Sequence, residues 1–260
     1  MTIAGSDSGG GAGIQADLKT FAMHCVHGTS AITCITAQNT QGVTRVDALP
    51  PAAVAAQIEA VAVDMKVAAL KTGMMLNAAI AQTVAKKIVG MGWDNVVVDP
   101  VAVSRTGAIL LEPEALAALK ECLVPLAAVV TPNRYEAQLL AQMEIHTFAD
   151  MEEAARRIYR FGPRAILIKG GAMADDLKAV DLWYDGQTLA PLRTETVDTD
   201  HTHGTGCTLA AAIAAQLALG RDPYTAARQA KTYVTRALQH AFNPGQGQGP
   251  IGHFFPLLPP

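Results

Sequence analysis

The residues Thr202-His203-Gly204-Thr205-Gly206-Cys207-Thr208 stand immediately before the Ala-rich run Leu209–Leu219. Glycines leave a backbone free to wrap an anion, and the unpaired amides in a helix's first turn, reinforced by its dipole, point at that anion. Gly204, Thr205 and Gly206 therefore suit a phosphate seat. The segment is no P-loop, since G-x-x-x-x-G-K-[ST] does not occur, and no dinucleotide fingerprint, since Leu209 occupies the place of the third glycine. A glycine-rich turn that only caps a helix accounts for the same residues.

Cys207 adds chemistry. A thiol at a helix N-terminus is expected to have a lowered pKa, so it could take a proton from a substrate hydroxyl. It could equally be a small residue that packs beside a bound phosphate.

Thr131-Pro132-Asn133-Arg134-Tyr135-Glu136 ends one expected strand and opens a helix. Asn133 and Glu136, at i and i+3, present oxygens on one face. Oxygen ligands suit Mg²⁺, which keeps several waters and needs few protein carboxylates when nucleotide phosphates supply the rest. Asn at an N-cap with Glu three later is also an ordinary capping box variant. Asp99, after Val96-Val97-Val98, could help hold the metal or position an acceptor, or only form a turn. Lys169 follows Ile166-Leu167-Ile168 and could neutralise charge on a transferring group. An anion cradle, a cation, two acidic side chains and an amide on one rim are the set that phosphoryl transfer from ATP requires.

That rim needs a scaffold. Short β-branched runs alternate with longer Ala-rich amphipathic segments, the pattern of a parallel sheet covered by helices. Strands are expected at Met1–Ala4, Ala31–Ala37, Ala68–Thr72, Asn95–Val98, Ala128–Thr131 and Ala165–Lys169. Helices are expected at Gln15–Met23, Ala52–Asp64, Ala78–Val89, Glu114–Leu123, Asn133–Gln142, Met151–Phe161, Thr208–Leu219 and Tyr224–Ala241. Asp185-Gly186 between Ala179–Tyr184 and Thr188–Arg193 predicts a hairpin. In such sheets ligands gather beyond the carboxyl ends of the strands, where Gly5–Gly13, Gln38–Gly42, Gly73-Met74, Asp99–Gly107, Asn133 and Gly170-Gly171 would all fall.

The 260 residues are read as one domain, half of them hydrophobic and 17% charged, so disorder is not expected. A formal charge of -3 without a long basic block gives no footprint for nucleic acid or anionic lipid. The start lacks the regions of a signal peptide and no apolar stretch spans a bilayer, so no membrane partner is expected and the cytoplasm is the default. Cys25, Cys34, Cys122 and Cys207 form no C-x-x-C pair, and His24, Cys25 and His27 lack a second ligand cluster for a metal.

Taken together the motifs resemble the ribokinase superfamily, whose small-molecule kinases carry a late G-T-G-[DC] anion hole. Within it, Ala4–Thr20, Ala37-Gln38-Asn39-Thr40, Lys71-Thr72-Gly73-Met74, Thr131-Pro132-Asn133 with Glu136, Lys169-Gly170-Gly171 and His203–Thr208 resemble the hydroxymethylpyrimidine/phosphomethylpyrimidine kinases, in family order over nearly the whole chain. The resemblance implies a ribokinase-like three-layer α/β sandwich with a mostly parallel central sheet and helices on both faces. It implies two ATP-dependent phosphorylations in thiamine biosynthesis, first of 4-amino-5-hydroxymethyl-2-methylpyrimidine and then of its monophosphate. Asp17 and Gln38 would line the aminopyrimidine pocket, with Ala12, Met74 and Val101 packing around the ring. Cys207 would stand in the base position and the Thr205, Gly206 and Cys207 amides would stabilise the transferring phosphoryl group. Lys169, Thr202, Thr205 and Gly206 would meet ATP, and Asp99, Asn133 and Glu136 would organise Mg²⁺ directly or through water. Relatives are usually homodimers.

The chain departs from the family at three places. It begins at Met1-Thr2, so a short first strand, or a start further upstream, is expected. His201 replaces a common Asn before the anion hole, and Gln248 and Gly252 replace the usual His and Asn of the tail. A pyridoxal kinase and a non-catalytic pyrimidine sensor are the rival readings. Gln38 with Met74 favours the pyrimidine, and a sensor has no need of Lys169 together with an anion hole.

Overall fold

The computed structural model describes residues 1–102, 111 and 113–259. The expected loop Asp99–Gly107 is described only as far as Ala102, and the rest of it lies outside the described residues. The strands are β1 (Thr2–Asp7), β2 (Ser30–Asn39), β3 (Gly42–Ala48), β4 (Leu70–Thr72), β5 (Val96–Val98), β6 (Val129–Val130), β7 (Ile166–Ile168), β8 (Val180–Tyr184) and β9 (Leu189–Arg193). They form one sheet in the order β3-β2-β1-β4-β5-β6-β7-β8-β9. From β2 to β7 every pairing is parallel, while β3, β8 and β9 join antiparallel at the edges.

Alternation along the short central strands makes the two cores. Val96, Val98, Val130, Ile166 and Ile168 face one layer, with α2 (Pro51–Ala62), α3 (Ala78–Met91), α4 (Pro113–Ala118), α5 (Arg134–Ala141) and α6 (Phe148–Tyr159). Val97, Val129 and Leu167 face the other, with α1 (Gly13–Met23), α7 (Thr205–Ala218) and α8 (Pro223–Gln239). Successive strand residues point to opposite faces, so both surfaces of the sheet must be apolar and covered. The result is the expected three-layer sandwich. Helix α7 is buried from Thr208 to Ala215, and its run of alanines lets it sit close to the sheet, α1 and α8.

Several boundaries differ from the sequence reading. β1 is not short: it runs to Asp7 and pairs with β2 on one side and β4 on the other. β3 was not expected, and Gln38 therefore lies in β2 rather than in a loop. All seven residues of β3 are exposed, so no alternation of apolar and polar residues marks it. The helix expected over Glu114–Leu123 is α4 followed by a wider π-type turn at Leu119–Leu123. Helix α7 begins at Thr205, three residues earlier than its apolar run suggests, which puts Thr205, Gly206 and Cys207 in its first turn. The hairpin forms, with Asp185 Oδ1 accepting from the amides of Gln187 and Thr188 and with Gly186 at a φ of 87°.

Candidate active site

Carboxyl ends of the parallel strands line up, so Asp7, Gln38, Gly73, Asp99, Thr131 and Lys169 share one rim. Asn133 and Lys169 are joined beyond it by an isolated parallel bridge.

The glycine-rich segment after β1 and the cap of α7 meet there. Gly204 has a φ of 82°, and a Cβ at this position would overlap the Gly11 carbonyl oxygen. Only glycine satisfies both demands. Asp7 organises the segment: Oδ1 accepts from Gly9 N–H, and Oδ2 from the amides of Gly11 and Ala12 and from His203 Nε2 at 2.9 Å. Burial pushes its carboxyl up, but the His203 bond and the amides outweigh this and hold it below the usual range. Neither Asp7 nor His203 was assigned a role from sequence. A carboxylate seven residues into the chain and a histidine beside a glycine give no signal until the fold brings them together.

At the start of α7 the Thr205 amide donates to Thr202 O at 3.3 Å, whereas the Gly206 and Cys207 amides take no backbone acceptor among the described residues. The expected anion hole of three amides thus narrows to two with free donors. Lys169 Nζ lies 3.3 Å from the place of a Cβ on Gly206, close to those donors. It pairs with Asp99 Oδ1 at 2.9 Å and lies 4.0 Å from Glu136 Oε2. Burial works against its charge, yet Asp99 and Glu136 hold its pKa above the ordinary lysine value.

Asn133 and Glu136 form a complete capping box: Asn133 Oδ1 accepts from Glu136 N–H, and Glu136 Oε2 from Asn133 N–H. Glu136 Oε1 accepts from Ala102 N–H. The capping alternative is therefore present, and Asn133 has part of its acceptor capacity committed to it. Glu136 is 2% exposed; burial first, and then the Asp99 charge against the pull of Lys169, push its carboxyl up to about 7. Among the described residues Asp99 and Glu136 share Lys169 as their nearby cation and set two carboxylates side by side on the rim. A hard divalent cation held through water suits such a pair, so Asp99 and Glu136 fit Mg²⁺.

Cys207 departs from expectation in its acidity. Burial pushes the thiol up; Lys71 and the Gly13 N–H pull it down, and Asp17 and Asp99 push it further up. Desolvation outweighs the helix N-terminus. Asp17 is also corrected. Its side chain is fully enclosed, Oδ2 accepts from Thr2 Oγ1 at 2.6 Å, and both oxygens bind Lys71 Nζ, at 3.0 and 2.9 Å. A carboxylate so engaged has no free edge for a pyrimidine. The sequence named Lys71 only within the motif Lys71-Thr72-Gly73-Met74, so its pairing with Asp17 was not anticipated.

Gln38, at the end of β2, lies beside His203, with Nε2 3.2 Å from His203 Nε2 and Oε1 accepting from Thr36 Oγ1. Ala12 caps α1 next to Gly204, and half-buried Met74 leans toward Gly5 and β2. Val101 has a φ of 43°, a backbone that a β-branched residue seldom adopts and that clusters at functional loops. On the other side of Gly206 a cavity extends from Lys169, Thr202 and Thr205 to Val197, Val234 and Leu238. Its lining runs from Asn133 and Lys169 to Lys231, Val234, Thr235 and Leu238 of α8, so it offers a cationic mouth and a partly apolar far wall.

The tail braces the site. Gln248 Nε2 donates to Thr202 Oγ1 and to Asp200 O, Gly249 N–H donates to His201 Nδ1, and His203 pairs with the 249–251 backbone. His201 and Gln248, at positions where the resemblance expects other residues, are thus both engaged around the anion hole.

A family profile described as phosphomethylpyrimidine kinase matches residues 7–252. The hydroxymethylpyrimidine/phosphomethylpyrimidine kinase of Synechococcus elongatus is 62% identical over 258 residues, covering 99% of this chain and 98% of that protein. Among solved structures, an ADP complex of Bacillus subtilis pyridoxal kinase has a TM-score of 0.90 at 42% identity, covering 97% of this chain and 96% of that one. A phosphomethylpyrimidine kinase from Clostridium difficile has a TM-score of 0.82 at 40% identity, covering 91% and 97%. A profile matched over residues 7–252, together with relatives as similar as the Synechococcus elongatus enzyme, shows that the chain belongs to the phosphomethylpyrimidine kinase family.

Proposed function

We propose that this phosphotransferase uses ATP to phosphorylate 4-amino-5-hydroxymethyl-2-methylpyrimidine and then its monophosphate, supplying the diphosphate for thiamine biosynthesis. The observation that carries the reading is the meeting of the Gly206 and Cys207 amides, which take no backbone acceptor among the described residues, with the Lys169 ammonium at the cavity that Thr202, Thr205 and Gly206 line. Charge that spreads over the transferring phosphoryl oxygens is stabilised there by donors already in place.

The adenine end of ATP lies toward Val234 and Leu238, and its phosphates point at Lys169, Thr205 and Gly206. The ring packs among Ala12, Met74 and Val101 with Gln38 at its polar edge, which turns the hydroxymethyl group toward Cys207. Cys207 Sγ accepts or orients the hydroxyl proton, and Lys169 with the Gly206 and Cys207 amides holds the migrating group. Mg²⁺, when bound through Asp99 and Glu136, neutralises charge on the nucleotide phosphates. Exposed Val43 and Val46, opposite Gln38 and Thr36 on one side of the β2–β3 ribbon, favour a homodimer that covers them. Among the described residues no helix is long and apolar enough to cross a membrane, and the cytoplasm is the compartment in which this chemistry is expected.

A second reading, pyridoxal phosphorylation, is favoured by the likeness to the Bacillus subtilis pyridoxal kinase. Parallel ATP-consumption assays decide between the two. The first reading expects the higher kcat/KM on the hydroxymethylpyrimidine, and a preference for pyridoxal would overturn it.

A further inference from the structure

Gln38 is held from three sides. Its backbone is clamped by Ser8, whose hydroxyl accepts from Gln38 N–H at 2.8 Å and donates to Gln38 O at 2.7 Å. The β2–β3 register shifts between Ala37 and Gln38, a bulge of the kind that re-aims a side chain beside a site. The amide then lies between Thr36 Oγ1 and His203 Nε2, each 3.2 Å away. His203 has little room to move: its backbone is bonded to Gly249 and Ile251, and a Cβ on Gly11 would overlap its ring.

The hydrogens decide how these groups meet. Asp7 Oδ1 faces Gly9 N–H and Oδ2 faces the Gly11 and Ala12 amides, so donors alone surround the carboxylate and it carries no proton. His203 Nε2, 2.9 Å from Oδ2, must therefore hold a hydrogen and donate it. A ring nitrogen that donates has no lone pair left for a Gln38 N–H beside it. Thr36 poses the complementary conflict. Its one hydroxyl hydrogen faces both Ser6 O at 2.9 Å and Gln38 Oε1 at 3.2 Å, and the shorter contact takes it. A half-turn of the Gln38 amide resolves both: Oε1 accepts from the shared His203 N–H, and Nε2 donates to Thr36 Oγ1. Partners of this kind are what tell the two ends of an amide apart.

We propose that His203, oriented by Asp7, is a positioning residue that locks the Gln38 amide with its oxygen toward the imidazole, and that this lock sets which acceptor rings the enzyme takes. The inference rests on the kinase reading, with Gln38 at the polar edge of the acceptor, and deepens it. An aminopyrimidine offers a ring nitrogen that accepts beside an amine that donates. Its 4-oxo analogue offers a ring N–H that donates beside an oxygen that accepts. A locked amide matches the first order and opposes the second, whereas an amide free to turn suits either.

The test compares kcat/KM for 4-amino-5-hydroxymethyl-2-methylpyrimidine with that for its 4-oxo analogue. His203→Leu is expected to lower the ratio of the two by about tenfold or more, because mismatched hydrogen-bonding groups supply discrimination of at least that order. Gln38→Leu should lower it as well. Adding His203→Leu to Gln38→Leu should then leave the ratio within about twofold of the Gln38→Leu value, since no amide remains to be turned. A His203 that only supports the fold lowers both efficiencies together and keeps the wild-type ratio. That result, or a further full loss in the double variant, overturns the proposal. Neutron diffraction from deuterium-exchanged wild-type crystals reads the lock with neither substrate nor variant: deuterium on His203 Nε2 and the Gln38 ND₂ group facing Thr36 are expected, and ND₂ facing His203 refutes it. Turnover of neither pyrimidine by the wild type would overturn the acceptor reading, and the neutron map alone would then decide the lock.

Discussion

A side chain on Gly204 would overlap the carbonyl oxygen of Gly11, so the cap of α7 and the loop after β1 touch backbone to backbone. On the proposed reading, the α7 amides and the loop against which the acceptor packs are therefore set by one contact. Gly204→Ala must push these segments apart or strain a left-handed backbone. A misplacement of about 1 Å costs roughly a hundredfold in rate, and we expect a kcat/KM loss of at least that order, with a lowered Tm by thermal scanning. Near-normal turnover would show that the contact is not what sets the geometry.

Lys169→Met removes the cation beside the free amides and leaves Asp99 and Glu136 without their shared partner. Loss of one such stabilising donor costs about a hundredfold to a thousandfold in kcat. Lys169→Arg should recover little, because a planar guanidinium does not replace a compact ammonium in this enclosed space. Steady-state kinetics with ATP as the varied substrate check this, with the loss expected mainly in kcat.

Glu136 gives a pH signature of stability. Its carboxyl titrates near 4.5 when unfolded and is pushed up to about 7 in the fold, so between these values the native state binds more protons. Stability then falls as pH rises through that window. Without nucleotide or Mg²⁺, the wild-type Tm should decline between about pH 5 and 7 more steeply than that of Glu136→Gln, which cannot ionise. Parallel slopes in a buffer series would show that Glu136 is ionised in the fold throughout.

Gln38 is the polar group left at the acceptor pocket once Asp17 is assigned to Lys71. Gln38→Leu keeps the bulk and removes the hydrogen-bonding edge, which should raise KM for the hydroxymethylpyrimidine by about tenfold to a hundredfold while changing kcat less. Initial-rate measurements at saturating ATP test it. An unchanged KM would move the reading of the ring elsewhere.

Much of the scaffold was legible because both faces of the parallel sheet are covered. That forces continuous apolar runs such as Val96-Val97-Val98 and Ile166-Leu167-Ile168, followed at once by the polar residues of the rim. β3 was not legible, since an exposed edge strand carries no burial pattern. The start of α7 was missed because Thr205 and Gly206 are not apolar, although their position at its N-terminus is what the proposed phosphate seat requires. For the site, residue type singled out Lys169, Asp99 and Glu136, which the fold brings together, but partners separated by many residues decided the rest. Asp17 was read as a ligand contact until Lys71, 54 residues away in sequence, was seen to occupy it. The Cys207 acidity was misjudged because a sequence displays the helix N-terminus but not the burial that opposes it.

Incubation with ATP, Mg²⁺ and 4-amino-5-hydroxymethyl-2-methylpyrimidine, followed in time by mass spectrometry, tests the central claim most directly. The account requires the monophosphate to appear first and the diphosphate to grow at its expense as ADP accumulates. Persistence of unmodified alcohol, with ADP at background under conditions where the protein is folded, would contradict it.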